Sequence, residues 1–123
     1  MNAQELLETY GKAATVVKQF YLAHMIESLN DDNLPENFKD FVREQGMSNE
    51  DVAIMINASP RTLFDVFDVN GIFISLKYSP DGFTWSCMQS DASELKDTTM
   101  YFFRKEAELA AIEKAFEILN NKL

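Results

Sequence analysis

The chain has 123 residues, a formal net charge of −9 and a pI near 4.5. Its hydrophobic content of 46%, with ten Phe, is enough for a real core in a single domain and excludes a disordered chain. The acidic balance argues against indiscriminate binding to nucleic acid or an anionic membrane, and a single cysteine rules out an intramolecular disulfide scaffold.

The opening stretch Met1-Asn2-Ala3-Gln4-Glu5 is polar and then acidic, with no apolar signal core after it. No run approaches the length needed to span a bilayer. A cytoplasmic, reducing setting is the expectation.

Asn2 to about Asn30 reads as one long helix. Leu7, Tyr10, Ala14, Val17, Tyr21, Met25 and Leu29 share one stripe, flanked by Leu6, Ala13, Val16 and Phe20. So wide a stripe fits a helix with neighbours on more than one side, or a homodimer contact. Gly11 falls inside it, and either bends the helix or lowers its propensity by about 1 kcal/mol. The polar run Asn30-Asp31-Asp32-Asn33 ends it. Pro35 opens a second helix at its first turn, with Phe38, Phe41 and Val42 as its inner face and Gly46 at its C-terminal end. Ser48 starts a third helix with Asp51 three residues on, a variant of the capping box. Its buried face is Val52, Ala53, Met55 and Ile56. Asn57-Ala58 turns the chain. Ser59 then caps a short fourth helix that has Pro60 at its first position and Leu63, Phe64, Val66 and Phe67 as apolar surface.

From Gly71 the period changes. Ile72, Ile74, Leu76 and Tyr78 alternate with Phe73, Ser75 and Lys77, the period of a strand. Ser79-Pro80-Asp81-Gly82 has turn chemistry at each position and predicts a hairpin. The returning strand carries Phe83, Trp85 and Cys87 on one face and Thr84, Ser86 and Met88 on the other. Asp91 to Asp97 reads as a polar, acidic loop and Thr98 to Phe103 as a third strand. Arg104 to Asn121 is the clearest helix, with Leu109, Ile112, Phe116, Leu119 and Leu123 as its stripe. Ala107, Ala110, Ala111 and Ala115 broaden that stripe with small side chains, so the backbone can lie close to whatever it packs on. Arg104 and Glu108 form an i,i+4 pair.

The hairpin with Trp85, followed by Arg104-Lys105-Glu106-Ala107-Glu108-Leu109-Ala110-Ala111-Ile112-Glu113-Lys114-Ala115, resembles a module of short uncharacterised proteins of bacteria and their phages. In that module a hairpin leads into a helix of the form Arg-Glu-Glu-Ala-Glu-x-Ala-Ala-x-x-x-Ala. The resemblance covers under half of the chain. The module usually has a Ser or Thr cap before the Arg; here Phe103 stands there, so the cap is missing or lies at Thr98 or Thr99 with a shifted start. The resemblance implies a small accessory protein, one carried on a mobile element, and transfers no catalytic motif.

The sharpest local pattern is Ser48 to Leu63, which looks like a repressor-type helix-turn-helix with Asn57 at the turn. Its second helix would offer Ser59, Arg61 and Thr62 to DNA. Asp65 and Asp68 oppose that chemistry, and a helical hairpin used only for packing is the competing reading. His24 has Phe20 one turn before it and Glu27 and Ser28 one turn after, either a base with an orienting carboxylate or a surface pair. Cys87 has no cation or helix N-terminus to activate it and reads as buried and inert. One His and one Cys cannot build a structural zinc site. The acids Asp31, Asp32, Asp65, Asp68, Asp91 and Asp97 lack calcium-loop spacing, and no Gly-rich phosphate loop exists. No catalytic, metal or cofactor site is therefore assigned, and no cofactor is expected. On the sheet's second face Phe73, Lys77 and Met88 are candidate interaction residues, the competing reading being that the helical half covers Phe73 and Met88.

These readings combine into an α+β chain. Residues 1–69 form a helical half of about four helices, and residues 70–123 a small antiparallel β-β-β-α unit within the same domain. The expected function is protein interaction without catalysis, by an acidic cytoplasmic accessory protein with an unidentified protein partner. The alternative is a helix-turn-helix transcription regulator using residues 48–67.

Overall fold

The computed structural model describes residues 1–28, 35–37, 40, 44, 46–97 and 99–123, without the side chains of 26–28. In chain order its elements are α1 (Ala3–Thr9), α2 (Gly11–Ser28), α3 (Asn49–Ala58), α4 (Thr62–Val69), β1 (Ile72–Ser79), β2 (Gly82–Gln89), β3 (Glu94–Lys96) and α5 (Arg104–Lys122). Helices come first, then a three-stranded antiparallel sheet in the order β1-β2-β3, then the last helix. This is the α+β architecture expected. The inner face of the helix expected after Pro35 (Phe38, Phe41 and Val42) lies outside the described residues, as do Leu29, the run 30–33 and Thr98. Among the described residues no helix is long and apolar enough to cross a membrane.

The single long helix expected from Asn2 is two. Asn2 caps α1, its side chain accepting from the Glu5 N–H at 2.8 Å. The chain then leaves helical geometry at Tyr10, with φ −111° and ψ 68°, and restarts at Gly11. A restarted helix has unsatisfied leading N–H groups. The cap comes from the far end of the chain: Asn120 Oδ1 on α5 accepts from the Lys12 N–H at 3.0 Å and the Ala13 N–H at 3.2 Å. The break thus docks the start of α2 onto the end of α5.

Ser48 caps α3 as expected, accepting from the Asp51 N–H at 3.1 Å. Val52, Ala53 and Ile56 are buried on its inner side, with Met55 packed beside them. The turn that follows differs from expectation. Asn57 stays helical and α3 runs on to Ala58. The only positive-φ residue other than glycine, among those described, is Ala92. Ser59-Pro60-Arg61 forms the connection, and α4 begins at Thr62 with Arg61 in the cap position and no side-chain cap. Ser59 does not cap a backbone N–H there; its hydroxyl accepts from Thr62 Oγ1 at 3.1 Å. Leu63, Val66 and Phe67 are fully buried.

The hairpin forms with Ser79 opposite Gly82 and a two-residue Pro80-Asp81 turn. Ile74 faces Cys87, Leu76 faces Trp85 and Tyr78 faces Phe83, so the two apolar sets share one face. Ile72, Trp85 and Cys87 on that face are buried, whereas Tyr78 at the far end is not. The third strand is displaced from expectation. It lies at Glu94–Lys96, inside the stretch read as a loop, and pairs with Ser86 to Met88. The segment read as a strand contributes only a bridge, Phe83 with Tyr101, through two 2.8 Å backbone bonds. Asp97 organises the crossing between them. Its carboxylate accepts from the Thr99 N–H at 2.9 Å, the Trp85 indole N–H at 3.1 Å and the Tyr101 hydroxyl at 3.0 Å. The Thr99 N–H, the largest influence, holds this carboxyl below its ordinary value against the opposing effect of burial. Gly82 permits the bridge, because a Cβ there would stand 2.6 Å from the Tyr101 carbonyl oxygen.

The last helix, α5, lies across the buried sheet face and touches α2 and α4 as well. Its buried side is Ala107, Ala111, Ile112, Ala115, Phe116, Ile118 and Leu119. Leu109 and Leu123, expected in the stripe, are exposed at 43% and 50%. The alanines decide this. They let the helix backbone approach the sheet so closely that the Cys87 thiol reaches the Ala111 carbonyl at 3.9 Å. No side chain caps the start of α5, and Phe103 holds the cap position.

The Asn120 contact gives a direct prediction. Asn120→Ala removes the acceptor for two leading N–H groups and lowers unfolding stability by about 1–2 kcal/mol. Asn120→Asp keeps the acceptor, and its charge suits a helix N-terminus. Urea unfolding at neutral pH should place the Asp variant near wild type and the Ala variant well below it. Equal losses in both would contradict the cap.

Candidate functional site

The Pro60 ring cannot continue α3, so the chain turns through Ser59-Pro60-Arg61 and presents Arg61 toward the first turn of α5. There Arg61 Nη2 lies 3.2 Å from Glu108 Oε1, and Arg104 Nε lies 3.2 Å from the same oxygen. The Arg104–Glu108 part is the i,i+4 pair expected from the sequence. The Glu108 side chain is only 12% exposed, whereas the two guanidinium side chains are 63% and 57% exposed. The carboxylate is thus sunk between two cations whose outer edges face water. A cleft of about 510 Å³ opens here, with Asn57, Ser59, Pro60, Arg61, Arg104 and Lys105 on its walls. Beside it lies a hollow of about 280 Å³ lined by Leu6, Ile56, Leu109 and Ile112. Asn57, Pro60 and Lys105 border both.

At the same end of α5, Phe102 and Phe103 are exposed at 80% and 60%. Their rings pack on each other edge to face at 5.0 Å. Sequence reasoning placed both in a strand, where one of the two would have pointed inward. The signal that could have found them is their position beside an uncapped helix start.

The residues offered to DNA by the helix-turn-helix reading are placed as follows. Arg61 binds Glu108, and Ser59 and Thr62 bind each other at 3.1 Å. The exposed residues of α4 include Asp65, Asp68 and Val69, and Phe64 is packed against the core.

The second candidate surface is the sheet face away from α5. Phe73 opposes Met88, Ser75 opposes Ser86 and Lys77 opposes Thr84, while Lys96 extends the middle row through Ser86. Phe73 and Met88 are exposed at 45% and 44%, so the described helical residues do not cover them. A shallow hollow of about 480 Å³ lies over Ser75, Lys77, Thr84, Ser86 and Lys96. The structure brings Phe73 and Met88 side by side and leaves Lys77 four residues along the strand.

His24 is exposed and its ring stacks on Phe20, with centroids 4.4 Å apart. The Glu27 and Ser28 side chains fall outside those described. Among the described residues no three His, Cys, Asp or Glu side chains group closely enough to hold a metal ion. Compared with protein-family models, curated proteins and solved structures, the chain matches none of them.

Cys87 is fully buried beneath α5. Burial pushes its thiol up to about 11, with the Lys114 charge pulling the other way. The thiolate is the reactive form, so at pH 8 the native protein should resist an aromatic disulfide reagent for as long as it stays folded. The unfolded chain should release one equivalent promptly. Prompt labelling of the native protein would contradict this packing.

Proposed function

We propose that the chain is a protein-interaction module, an accessory protein that acts by docking rather than by chemistry. The observation that carries the reading is the pair Phe102 and Phe103. Two adjacent rings at 80% and 60% exposure, packed on each other, retain apolar area that the core does not use, and aromatic anchors of this kind dominate protein interfaces. The pair directly precedes Arg104 and Lys105, which line a cleft on a chain of net charge −9. Phe73 and Met88 on the sheet supply a second, smaller apolar surface. A regulator reading DNA through Ser59, Arg61 and Thr62 draws less support, because Ser59 and Thr62 are bonded to each other and the acids of α4 would face phosphate. The accessory role and its association with a mobile element rest on the resemblance in the C-terminal third.

Affinity purification of the tagged chain from lysate of its own cells, with and without nuclease, tests the reading. A stoichiometric protein band should persist through nuclease and should be lost when Phe102→Ser and Phe103→Ser are combined. Both side chains are exposed, so the double variant should fold. Nuclease-sensitive nucleic acid, lost with Arg61→Ala, would contradict the proposal and favour the regulator.

A further inference from the structure

We propose that the groove between the Ser59-Pro60-Arg61 turn and α5 receives an acidic segment of a partner protein that also carries an apolar anchor. This rests on the docking reading above and names the partner's chemistry. The cleft and the hollow share Asn57, Pro60 and Lys105, so they are two halves of one groove. One half is cationic and the other apolar.

The cationic half runs against the character of the whole chain. The protein carries twenty acidic residues against eleven basic ones, yet Arg61, Arg104 and Lys105 line the cleft with one carboxylate, Glu108. Glu108 is already held by both guanidinium groups through one oxygen. Lys105 has no ion pair among the described residues. The remaining donor capacity of both Arg side chains points outward, and a guanidinium has more N–H groups than one contact uses. The start of α5 adds to this. No side chain caps it, and the positive end of its helix dipole favours a carboxylate there.

The apolar half selects among anions. Leu109 stands 43% exposed at its rim, with Leu6, Ile56 and Ile112 at its floor. A phosphate backbone has nothing to place there, whereas a Leu or Phe side chain of a peptide does. Charge complementarity makes the same selection. The net charge of −9 repels an extended polyanion or an anionic bilayer over its length. A short acidic segment needs only the groove.

The test is selection of peptides from a random phage-displayed library against the full chain. Enriched peptides are then titrated by fluorescence anisotropy against wild type, Lys105→Glu, Leu109→Asp and Lys77→Glu. An oligothymidylate and phosphatidylserine vesicles serve as competing ligands. The first two substitutions lie in the groove at exposed positions, and Lys77 lies on the outer sheet face. Enriched peptides should be net acidic with at least one large apolar residue. Their Kd should rise about tenfold or more in Lys105→Glu and in Leu109→Asp, about 1.4 kcal/mol each, and stay unchanged in Lys77→Glu. No enrichment, neutral or basic peptides, or tighter binding of the oligonucleotide or vesicles would overturn the proposal. Peptides weakened only by Lys77→Glu would overturn the groove while leaving the docking reading intact. That reading itself falls only on the lysate experiment.

Discussion

Phe116 has no exposed surface, and its ring meets rings from two other regions of the chain. Tyr10, at the break between α1 and α2, stacks on it at 6.4 Å; Phe67, near the end of α4, meets it edge-on at 5.5 Å. On the same helix Ala111 approaches Cys87 of the sheet, and Asn120 caps α2. The last helix is therefore the surface on which the helical half and the sheet half meet. Edge-to-face and offset ring pairs add to the area they bury. Their geometry also sets where the break at Tyr10 can fall. Lys122 Nζ donating to the Asn70 carbonyl at 3.1 Å ties the Asn120 end of α5 to the junction between α4 and β1.

This constraint explains what could be read from the sequence and what could not. The hairpin was legible because its signals are local: a period of two and Pro-Asp-Gly at the turn. The last helix was legible as a helix, and its buried side largely so: Ile112, Phe116, Leu119 and three of the alanines face inward, while Leu109 and Leu123 do not. Counting large apolar residues put Leu109 and Leu123 inward. Close packing on the sheet instead selects the face with Ala107, Ala111 and Ala115, because only small side chains let backbone approach backbone. The split of the first helix was signalled only by Gly11, since its apolar stripe runs through Tyr10 without a fault and the group that caps α2 stands at Asn120. β3 was hidden for a different reason. Ser-Glu-Leu-Lys looks like loop, and all three residues of the strand are exposed, so backbone bonds to β2 hold it with little help from burial.

The groove shows the same division. In the sequence Arg61 stands as an isolated cation, and Glu108 pairs with Arg104 at helical spacing. Their meeting depends on α4 and α5 being packed around Phe67 and Phe116. Pro60 sets the turn, α5 sets the opposing wall, and Leu109 lands at the rim because the alanine face turns it away from the core. Phe102 and Phe103 remain outside because the bridge at Tyr101 ends the sheet and α5 starts immediately after them. The two halves of the molecule thus build one concave surface that neither half contains alone.

Both halves share one core through the last helix, and they should unfold as one unit. Native-state hydrogen exchange across a series of sub-denaturing urea concentrations tests it most directly. The most protected amides of α2, α4, the β1–β2 hairpin and α5 should converge on one opening free energy, equal to that of global unfolding. A hairpin that keeps its protection after the α2 and α4 amides have opened would show two independent cores and contradict the account.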